Sequence, residues 1–247
     1  MASRPRIRSS DTPRTRPAKP PLSRAAIVDA ALDLVGELGV AAVTMRKVAD
    51  ALDTAAASLY VYVADRRDLM AGAYDRALAD VPLPTGGSWR RQLERLVTDQ
   101  VAVLGAHGDI AAVALGEPQL GPHALLITER VLGLLRTAGV PDSSCIAAAD
   151  LLDQYAVSAS LELAQRLRDR RRAESATARP VTDASLTAEA AARLQTAYAG
   201  LPAEDFPAIA ALRDGLADTD PAERARWKLA AIIDGILAQR GHAHRRR

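Results

Sequence analysis

The segment from Thr44 to Leu69, TMRKVADALDTAAASLYVYVADRRDL, brings hydroxyl, phenol and guanidinium groups together within two short helical patterns. Hydroxyls and phenols donate hydrogen bonds to phosphate oxygens, and an arginine can donate two parallel hydrogen bonds to guanine or phosphate. A tight break near Asp53 separates the two patterns. This arrangement is typical of a helix-turn-helix, whose second helix lies in the major groove while the first crosses the DNA backbone. We therefore predict that the segment binds double-stranded DNA.

The expected DNA contacts follow from the side chains that this motif exposes. The second helix begins near Ala55 and presents small residues, which let it lie deep in the groove and favour contacts to thymine methyl groups and recognition of DNA shape. Arg46, on the preceding helix, is the best candidate for a bidentate contact to guanine. The predicted DNA-binding residues are Thr44, Arg46, Lys47, Ala56, Ala57, Ser58, Tyr60, Tyr62 and Arg66.

Three of these residues have a second interpretation that the sequence leaves open. Tyr60 could be a core aromatic whose hydroxyl is satisfied inside the protein. Arg46 could form an ion pair with Asp50, one helical turn further on. Arg66 could bind phosphate or support the helix by its charge.

Capping signals predict the helices that position this segment. Ser23 is a plausible N-cap for a first helix with one apolar face, and Gly39 is expected to end that helix. Thr44 and Asp65 are expected to cap the second and fourth helices, with the third helix at 55–63 between them. The turn at Asp53 favours a left-handed residue, and aspartate is among the better substitutes for glycine there.

The rest of the chain consists of long segments rich in alanine and leucine, with glycine and proline mostly between them, which favours helices over sheet. After a break at 81–87, helical segments are expected at about 88–105, 109–116, 122–138, 143–172, 184–199 and 221–240. The polar stretch at 172–182 is expected to be mobile. We predict an all-α fold, with an N-terminal three-helix helix-turn-helix domain and a larger C-terminal helical domain for ligand binding and dimerisation.

The charge of the chain is unevenly distributed between its ends and its middle. Residues 1–22 contain six basic residues and one acidic residue, and the last eight residues contain four arginines, although the whole chain has a net charge of only +2. The predicted organisation is a disordered basic arm at 1–22, a DNA-binding domain at 23–70, a ligand-binding and dimerisation domain at 71–240 and a basic tail at 241–247. Basic ends favour contact with a polyanion, or they are simply solvated.

Several function classes are excluded or disfavoured by what the sequence lacks. Cys145 is the one cysteine, so no intramolecular disulfide can form. No uninterrupted apolar stretch is long enough to span a membrane, and no apolar region follows the basic N-terminus, so we expect a soluble, cytoplasmic protein. A glycine-rich phosphate loop, paired cysteines at metal-binding spacing and a helix with two histidines one turn apart are all missing. We therefore expect neither an enzyme nor a bound cofactor.

Within the segment Thr44–Leu69 the chain resembles the TetR family of repressors. LYVYVADRRDL is similar to the end of the family's recognition helix, with Leu59 and Tyr60 at its Leu-Tyr pair, and TMRKVADAL resembles the helix before it. The resemblance implies that Arg46 and the residues at 56–58 contact bases, and that Thr44, Tyr60, Tyr62 and Arg66 contact phosphates. Asp53 departs from the family's usual turn glycine.

The C-terminal half resembles the tetracycline-repressor branch of that family. The similar segments are Ala106–Gly116, Leu134–Ser144, Phe206–Leu212 and Arg226–Leu237. In that branch a histidine before a Leu-Gly pair holds the magnesium of the drug, whereas this chain has Ala114 at the matching position. Alanine cannot bind a metal, so tetracycline with magnesium is not the expected inducer and no metal site is expected.

Polar residues within apolar helical segments are the candidates for a ligand site, because ligand pockets are mostly apolar with a few placed polar groups. The predicted ligand-binding residues are His107, Glu117, His123, Gln154 and Tyr155. Asp150 and Asp153 interrupt the same apolar segment as Gln154 and Tyr155 but could be solvated, and His107 could simply be a helix-end residue. The helices at 143–172 and 221–240 are expected to form a four-helix bundle with a second subunit, as the resemblance also implies, or else to be buried within one subunit.

These expectations combine into one leading hypothesis and two others. The leading hypothesis is a homodimeric transcriptional repressor that binds a palindromic operator in double-stranded DNA and is released by a small-molecule inducer. The first alternative is a constitutive or architectural DNA-binding protein without a ligand, which would have a filled interior. The second is an enzyme, for which the sequence offers no recognisable motif.

Overall fold

The regular elements of the chain are helices throughout the part that the computed structural model describes, residues 21–116, 118–177, 180–217 and 220–239. The predicted all-α fold is therefore confirmed. Residues 1–20 of the predicted basic arm and all of the predicted basic tail lie outside the described residues. The helices are α1 Arg24–Leu38, α2 Met45–Ala51, α3 Ala56–Leu59, α4 Arg66–Leu78, α5 Trp89–Ala106, α6 Pro122–Thr137, α7 Asp142–Thr177, α8 Asp183–Ala199, α9 Pro207–Ala217 and α10 Pro221–Ala238, with short 3-10 helices at Val40–Ala42 and Ile110–Leu115.

The predicted caps of the N-terminal helices are all present. The side chains of Ser23, Thr44 and Asp65 each accept a hydrogen bond from the backbone N–H three residues further along. Gly39 ends α1 with a φ of 82°, and Asp53 has a φ of 50° in the turn between α2 and α3. Each side-chain cap contributes about 1 kcal/mol, so these local signals specify where the helices begin.

The third helix is shorter than predicted. The sequence predicts a helix at 55–63, but α3 ends at Leu59 and turns follow it up to Val63. Val61 and Val63 are β-branched and favour a helix only weakly. Burial of both Leu59 and Val63 in the core fixes the chain in this tighter path.

Helix α4 joins the N-terminal helices to the rest of the molecule. Its apolar face packs against α1 on one side and against α5, α6 and the 3-10 helix Ile110–Leu115 on the other. Leu69, Ala73 and Ala77 are fully buried along this face. The predicted domain boundary after residue 70 therefore falls inside a helix that both regions share.

The C-terminal region is built around α5 and α7, which pack along much of their length. Leu93, Leu96 and Leu104 of α5 are fully buried, and α7 contributes Leu152 and Ala156 to the same core. None of the helices in the described ranges is long and apolar enough to cross a membrane.

The helices of this region differ from the predicted ones at two points. The helix predicted at 143–172 continues as α7 to Thr177, into the stretch at 172–182 for which mobility was predicted. No glycine or proline interrupts it, and charged residues one turn apart, such as Arg170 and Glu174, support the helix. Helix α9 was not expected as a separate helix, and it packs against α8.

Candidate DNA-binding surface and ligand cavity

The aromatic residues of the predicted DNA-binding segment face solvent. Tyr60 is 55% exposed and Tyr62 is 38% exposed, so the alternative that Tyr60 is a core aromatic is wrong. Arg46 is exposed, and it forms no ion pair with Asp50 among the described residues. These three side chains are therefore available to a duplex.

The small residues of α3 divide between surface and core. Ala57 is exposed, whereas Ala56 and Ser58 are half-buried, and Ala56 packs against the core. Leu59 is fully buried and anchors the helix. The residues Thr44, Arg46, Lys47, Ala56, Ala57, Ser58, Tyr60, Tyr62 and Arg66 are hereafter called the DNA-binding surface.

Two cations of this surface bind backbone carbonyls in front of α2. The Nε of Arg66 donates to the carbonyl of Val43 at 2.7 Å, and a terminal nitrogen of the same guanidinium donates to the carbonyl of Val40. The Nζ of Lys47 donates to the carbonyl of Ala42 at 2.9 Å. These contacts favour the second interpretation of Arg66, in which it positions the helix.

An ion pair between Arg24 and Asp68, which the sequence analysis did not predict, holds the chain just after α3. Arg24 donates two hydrogen bonds to the carboxylate of Asp68, at 2.7 and 3.0 Å, and a third to the carbonyl of Tyr62 at 2.9 Å. The same carboxylate accepts from the backbone N–H of Ala64. The hydrogen bond from Arg24 lowers the pKa of Asp68. This network holds the backbone that carries the two exposed tyrosines, and it joins residues too far apart in sequence for any local signal.

The N-terminus of α6 is capped from another helix. The N-cap of α6 is Gly121, which has no side chain to accept from the free N–H groups of the first turn. Asp75 of α4 replaces it, with its Oδ1 accepting from the backbone N–H groups of His123 and Ala124 at 2.9 and 3.0 Å. The imidazole Nδ1 of His123 lies 2.8 Å from Oδ2 of the same carboxylate.

Another connection links the 3-10 helix Val40–Ala42, just before α2, to the C-terminal region. Asp109, just before the 3-10 helix Ile110–Leu115, accepts a hydrogen bond from the backbone N–H of Val40 at 2.7 Å. The same carboxylate lies 3.8 Å from Arg168 of α7. Val40 is also held by Arg66, so the segment in front of α2 contacts both halves of the molecule.

A cavity of about 890 Å³ lies between α4, α5, α6, α7 and the segment around 114–120. Its walls are mainly leucine, isoleucine and valine side chains from all four helices. This volume lies within the range of about 300–1,000 Å³ that ligand sites occupy. The polar residues that line it are Tyr74, Gln100, Gln119, Thr128, Asp150, Asp153 and Gln154. The five that lie on α4, α5 and α7, namely Tyr74, Gln100, Asp150, Asp153 and Gln154, are hereafter called the polar wall.

Three helices contribute to the polar wall. The Nε2 of Gln100 in α5 donates to Oδ1 of Asp153 in α7 at 3.3 Å, and the Nε2 of Gln154 donates to Asp150 at 2.7 Å. Tyr74 of α4 is 2% exposed and burial raises the pKa of its phenol. Partial desolvation by the surrounding helices raises the pKa of Asp153, although its side chain keeps an exposed surface on the cavity wall.

The predicted ligand-binding residues are not all brought to this cavity. Gln154 lies on its wall, but the hydroxyl of Tyr155, the next residue, donates to the carbonyl of Ala225 in α10 at 2.9 Å. Tyr155 is therefore directed to α10 and is not among the residues that line the cavity. His107 ends α5 and is not part of the cavity wall.

Two further predicted ligand residues differ in their placement. His123 pairs with Asp75 and lines a separate groove between α1, α4 and the start of α6. Glu117 lies outside the described residues. Ala114, the residue at the position of the metal-holding histidine, does line the cavity and offers no donor atom.

Sequence reasoning missed Tyr74 and Gln100 and treated Asp153 as a residue that could be solvated. Tyr74 and Gln100 sit on apolar helix faces that look like ordinary core, and Gln100 is only 4% exposed. A glutamine at a fully core-facing position of α5 is the one signal that could have indicated a polar wall.

Comparison with known protein families decides the classification of the chain. Residues 27–73 match the model of bacterial regulatory proteins of the tetR family, and residues 81–240 match the tetracyclin repressor-like C-terminal domain. The chain belongs to the tetR family of bacterial regulatory proteins. It is a DNA-binding transcriptional regulator with a helix-turn-helix domain.

Similar proteins come from actinomycetes. An HTH-type transcriptional regulator of Saccharopolyspora erythraea is 36% identical over 163 residues, which are 65% of this chain and 69% of that protein. The HTH-type transcriptional repressor DrrR1 of Streptomyces coeruleorubidus is 33% identical over 59% of this chain and 55% of its own length. The crystal structure of ActR from Streptomyces coelicolor in complex with actinorhodin has 30% sequence identity and a TM-score of 0.74, over 90% of this chain and 99% of ActR.

Proposed function

We propose that this tetR-family regulator is a homodimeric repressor that binds a palindromic operator and releases it when a small molecule enters the cavity. The observation that carries the proposal is the pairing of an exposed DNA-binding surface with a cavity of about 890 Å³, joined by α4. Support comes from ActR, a protein of similar fold whose structure contains actinorhodin. An architectural protein without a ligand would have a filled interior, and the open cavity with its polar wall argues against that alternative.

The proposed contacts with DNA divide by their environment. The exposed residues Arg46, Tyr60 and Tyr62 contact bases or phosphates, and Ala57 lies against base edges. Arg66 and Lys47 hold the backbone in front of α2, which sets the angle at which the motif enters the groove. Removal of a residue from the first group would lower DNA affinity without unfolding the domain.

The proposed dimer uses an exposed face of α10. Trp227 is 72% exposed, and Ala231, Gly235 and Ala238 follow it at helical spacing on the same exposed face. Small residues let two helices approach closely, and a large exposed aromatic on the same face is typical of an interface. A twofold dimer also presents two DNA-binding surfaces, as a palindromic operator requires.

The proposed signal passes from the cavity to the DNA-binding surface through α6 and α4. Ala124, Ile127 and Val131 of α6 line the cavity, and the first turn of the same helix is held by Asp75 of α4. A ligand that repositions α6 therefore acts directly on α4, the helix that carries Arg66. The ligand can shift the equilibrium only as far as it prefers one arrangement of these helices over the other.

The proposal is tested by a gel shift with the full chain and the DNA upstream of its own coding sequence, together with sedimentation to establish the oligomeric state. We expect a dimer that binds this DNA, with Arg46→Ala weakening the binding. Arg136→Ala is the matched control, because Arg136 is equally exposed but lies on α6, far along the chain from the motif. A monomer that does not bind the DNA, or an equal loss of DNA affinity in both variants, would contradict the proposal.

A further inference from the structure

We propose that the cavity takes a largely apolar molecule bearing a protonated amine, and that Asp153 is the residue that selects for the positive charge. This inference rests on the proposed function, because it names the chemical class of the ligand for the same cavity. It is argued from the charges that line the cavity, from the partners of Asp153 and from the shape of the apolar walls.

The charge of the cavity wall has one sign. Among the described lining residues, the carboxylates Asp150 and Asp153 are the only charged groups, and no lysine, arginine or histidine joins them. The neutral polar groups on the other helices are Tyr74 of α4, Gln100 of α5 and Thr128 of α6. A ligand that enters this cavity therefore meets negative potential without a protein cation to compensate it.

Asp153 is the better placed of the two carboxylates. Gln100, which is 4% exposed, donates to its Oδ1 at 3.3 Å and fixes its orientation toward the cavity. That contact is the one hydrogen bond described for the Asp153 carboxylate. Asp153 keeps a solvent-exposed surface on the cavity wall and is therefore accessible to a ligand, while partial desolvation by the surrounding helices raises the pKa of its carboxyl group.

Asp150 is less able to select a ligand by itself. Its carboxylate accepts a hydrogen bond from Gln154, one turn later on α7, at 2.7 Å. Asp150 adds to the negative potential of the cavity. The carboxylate of Asp153 is in addition held in one orientation by Gln100, a buried side chain of another helix. A bound ammonium group would supply the counter-charge that Asp153 lacks and would donate a charge-assisted hydrogen bond to it.

The remaining walls specify the rest of the ligand. Leu78, Val97, Ile127 and Val131 come from α4, α5 and α6 and give the cavity apolar walls on three helices. Such walls favour a hydrophobic ring system, with the polar group directed to one end. A carboxylic acid of the same shape would place its charge against the two aspartates and would be disfavoured by repulsion.

The experiment uses three compounds with one tricyclic skeleton and three charges: 9-aminoacridine as the cation, acridine as the neutral compound and acridine-9-carboxylate as the anion. Binding to the full chain is measured by calorimetry at neutral pH without DNA, because the cation intercalates into a duplex. We expect the cation to bind about tenfold or more tighter than neutral acridine, as a charge-assisted hydrogen bond implies. The anion is expected to bind more weakly than either.

Two aspartate variants on the same helix separate charge selection from structure. Asp153→Asn keeps the shape of the side chain and removes its charge, so it is expected to remove most of the preference for the cation. Asp169→Asn is the matched control, because Asp169 also lies on α7 and also accepts a hydrogen bond from a glutamine side chain, here Gln165, but it is not part of the cavity wall. This control is expected to leave all three affinities unchanged.

The outcomes separate this inference from the proposed function. Equal or tighter binding of the neutral or anionic compound, an unchanged preference in Asp153→Asn, or no binding of any of the three would overturn the inference. The proposed function fails on different results, namely a monomer or a protein that does not bind its upstream DNA. If the protein forms a dimer, binds its DNA and is released by an uncharged or acidic compound, the proposed function is supported and the inference about the ligand is overturned.

Discussion

The carboxylate of Asp75 in α4 binds His123 in α6 twice, accepting from its backbone N–H at 2.9 Å and lying 2.8 Å from its imidazole Nδ1. The first turn of α6 needs this acceptor because its own N-cap, Gly121, has no side chain. Asp75 is buried, so water does not readily replace it. Helix α6, which lines the cavity, and helix α4, which leads to the DNA-binding domain, are therefore connected by the side chain of Asp75.

Replacing Asp75 tests this connection directly. Asp75→Ala removes the acceptor for two backbone N–H groups, and we expect the free energy of unfolding to fall by about 1–2 kcal/mol, as for other lost caps. Asp75→Asn keeps an acceptor oxygen for the same N–H groups and is expected to lose less. Urea unfolding of the three proteins measures the difference. Equal stability of Asp75→Ala and the native chain would show that the cap contributes nothing.

The space beside Gly121 leads to a second prediction. A Cβ at position 121 would clash with the carboxylate of Asp75, so Gly121→Ala must displace the capping group. We expect this variant to lose at least as much stability as Asp75→Ala. Gly133→Ala is the matched control on the same helix, because a Cβ there meets nothing within 4 Å.

The control substitution Gly133→Ala is itself expected to change the stability of the protein, in the opposite direction to Gly121→Ala. Alanine favours a helix interior over glycine by about 1 kcal/mol, so Gly133→Ala is expected to stabilise the protein while Gly121→Ala destabilises it. Thermal melts of the two variants check the prediction. Stabilisation by both substitutions would contradict the geometry at Gly121.

The sequence was sufficient to predict the features that depend on neighbouring residues. Ser23, Thr44 and Asp65 cap their helices as predicted, and the left-handed turn falls at Asp53. A cap or a positive φ involves only a few consecutive residues, so its signal is complete within a short window. The family resemblance rests on the same segment and is confirmed by the family models.

The polar wall of the cavity could not be predicted in the same way. Tyr74, Gln100 and Asp153 belong to three helices, and their meeting depends on how those helices pack. The sequence pattern identified Gln154 and Tyr155 as polar residues within an apolar segment but not which one faces the cavity, because that depends on which neighbouring helix packs against each side of α7. The placement of His123 against Asp75 also joins two distant segments.

The raised pKa of Asp153 leads to a prediction about stability. A carboxyl group whose pKa is higher in the folded than in the unfolded protein destabilises the fold while it is ionised, and this cost disappears as the pH falls through the folded pKa. Asp153→Asn removes the charge at every pH, so we expect it to raise the melting temperature of the unliganded protein at neutral pH. The difference between variant and native chain should narrow as the pH is lowered.

Melting curves from neutral to acidic pH measure this effect, with Asp169→Asn as the control on the same helix. The result would also indicate that Asp153 is kept at a cost in stability, as is common for residues of binding sites. A lower melting temperature for Asp153→Asn than for the native chain at neutral pH would contradict this prediction.

Two arginines of the DNA-binding surface are expected to differ in what their removal changes. Arg46 is exposed, so Arg46→Ala should weaken operator binding by about 1–3 kcal/mol if it contacts a guanine, with no change in the free energy of unfolding. Arg66 donates to the carbonyls of Val40 and Val43, so Arg66→Ala should lower stability as well as DNA affinity. Arg66→Lys cannot donate both bonds with one planar group and should restore only part of the loss. Urea unfolding and DNA titration of all three variants separate a residue that contacts the duplex from one that positions the helix, and an unchanged stability of Arg66→Ala would assign it to the duplex instead.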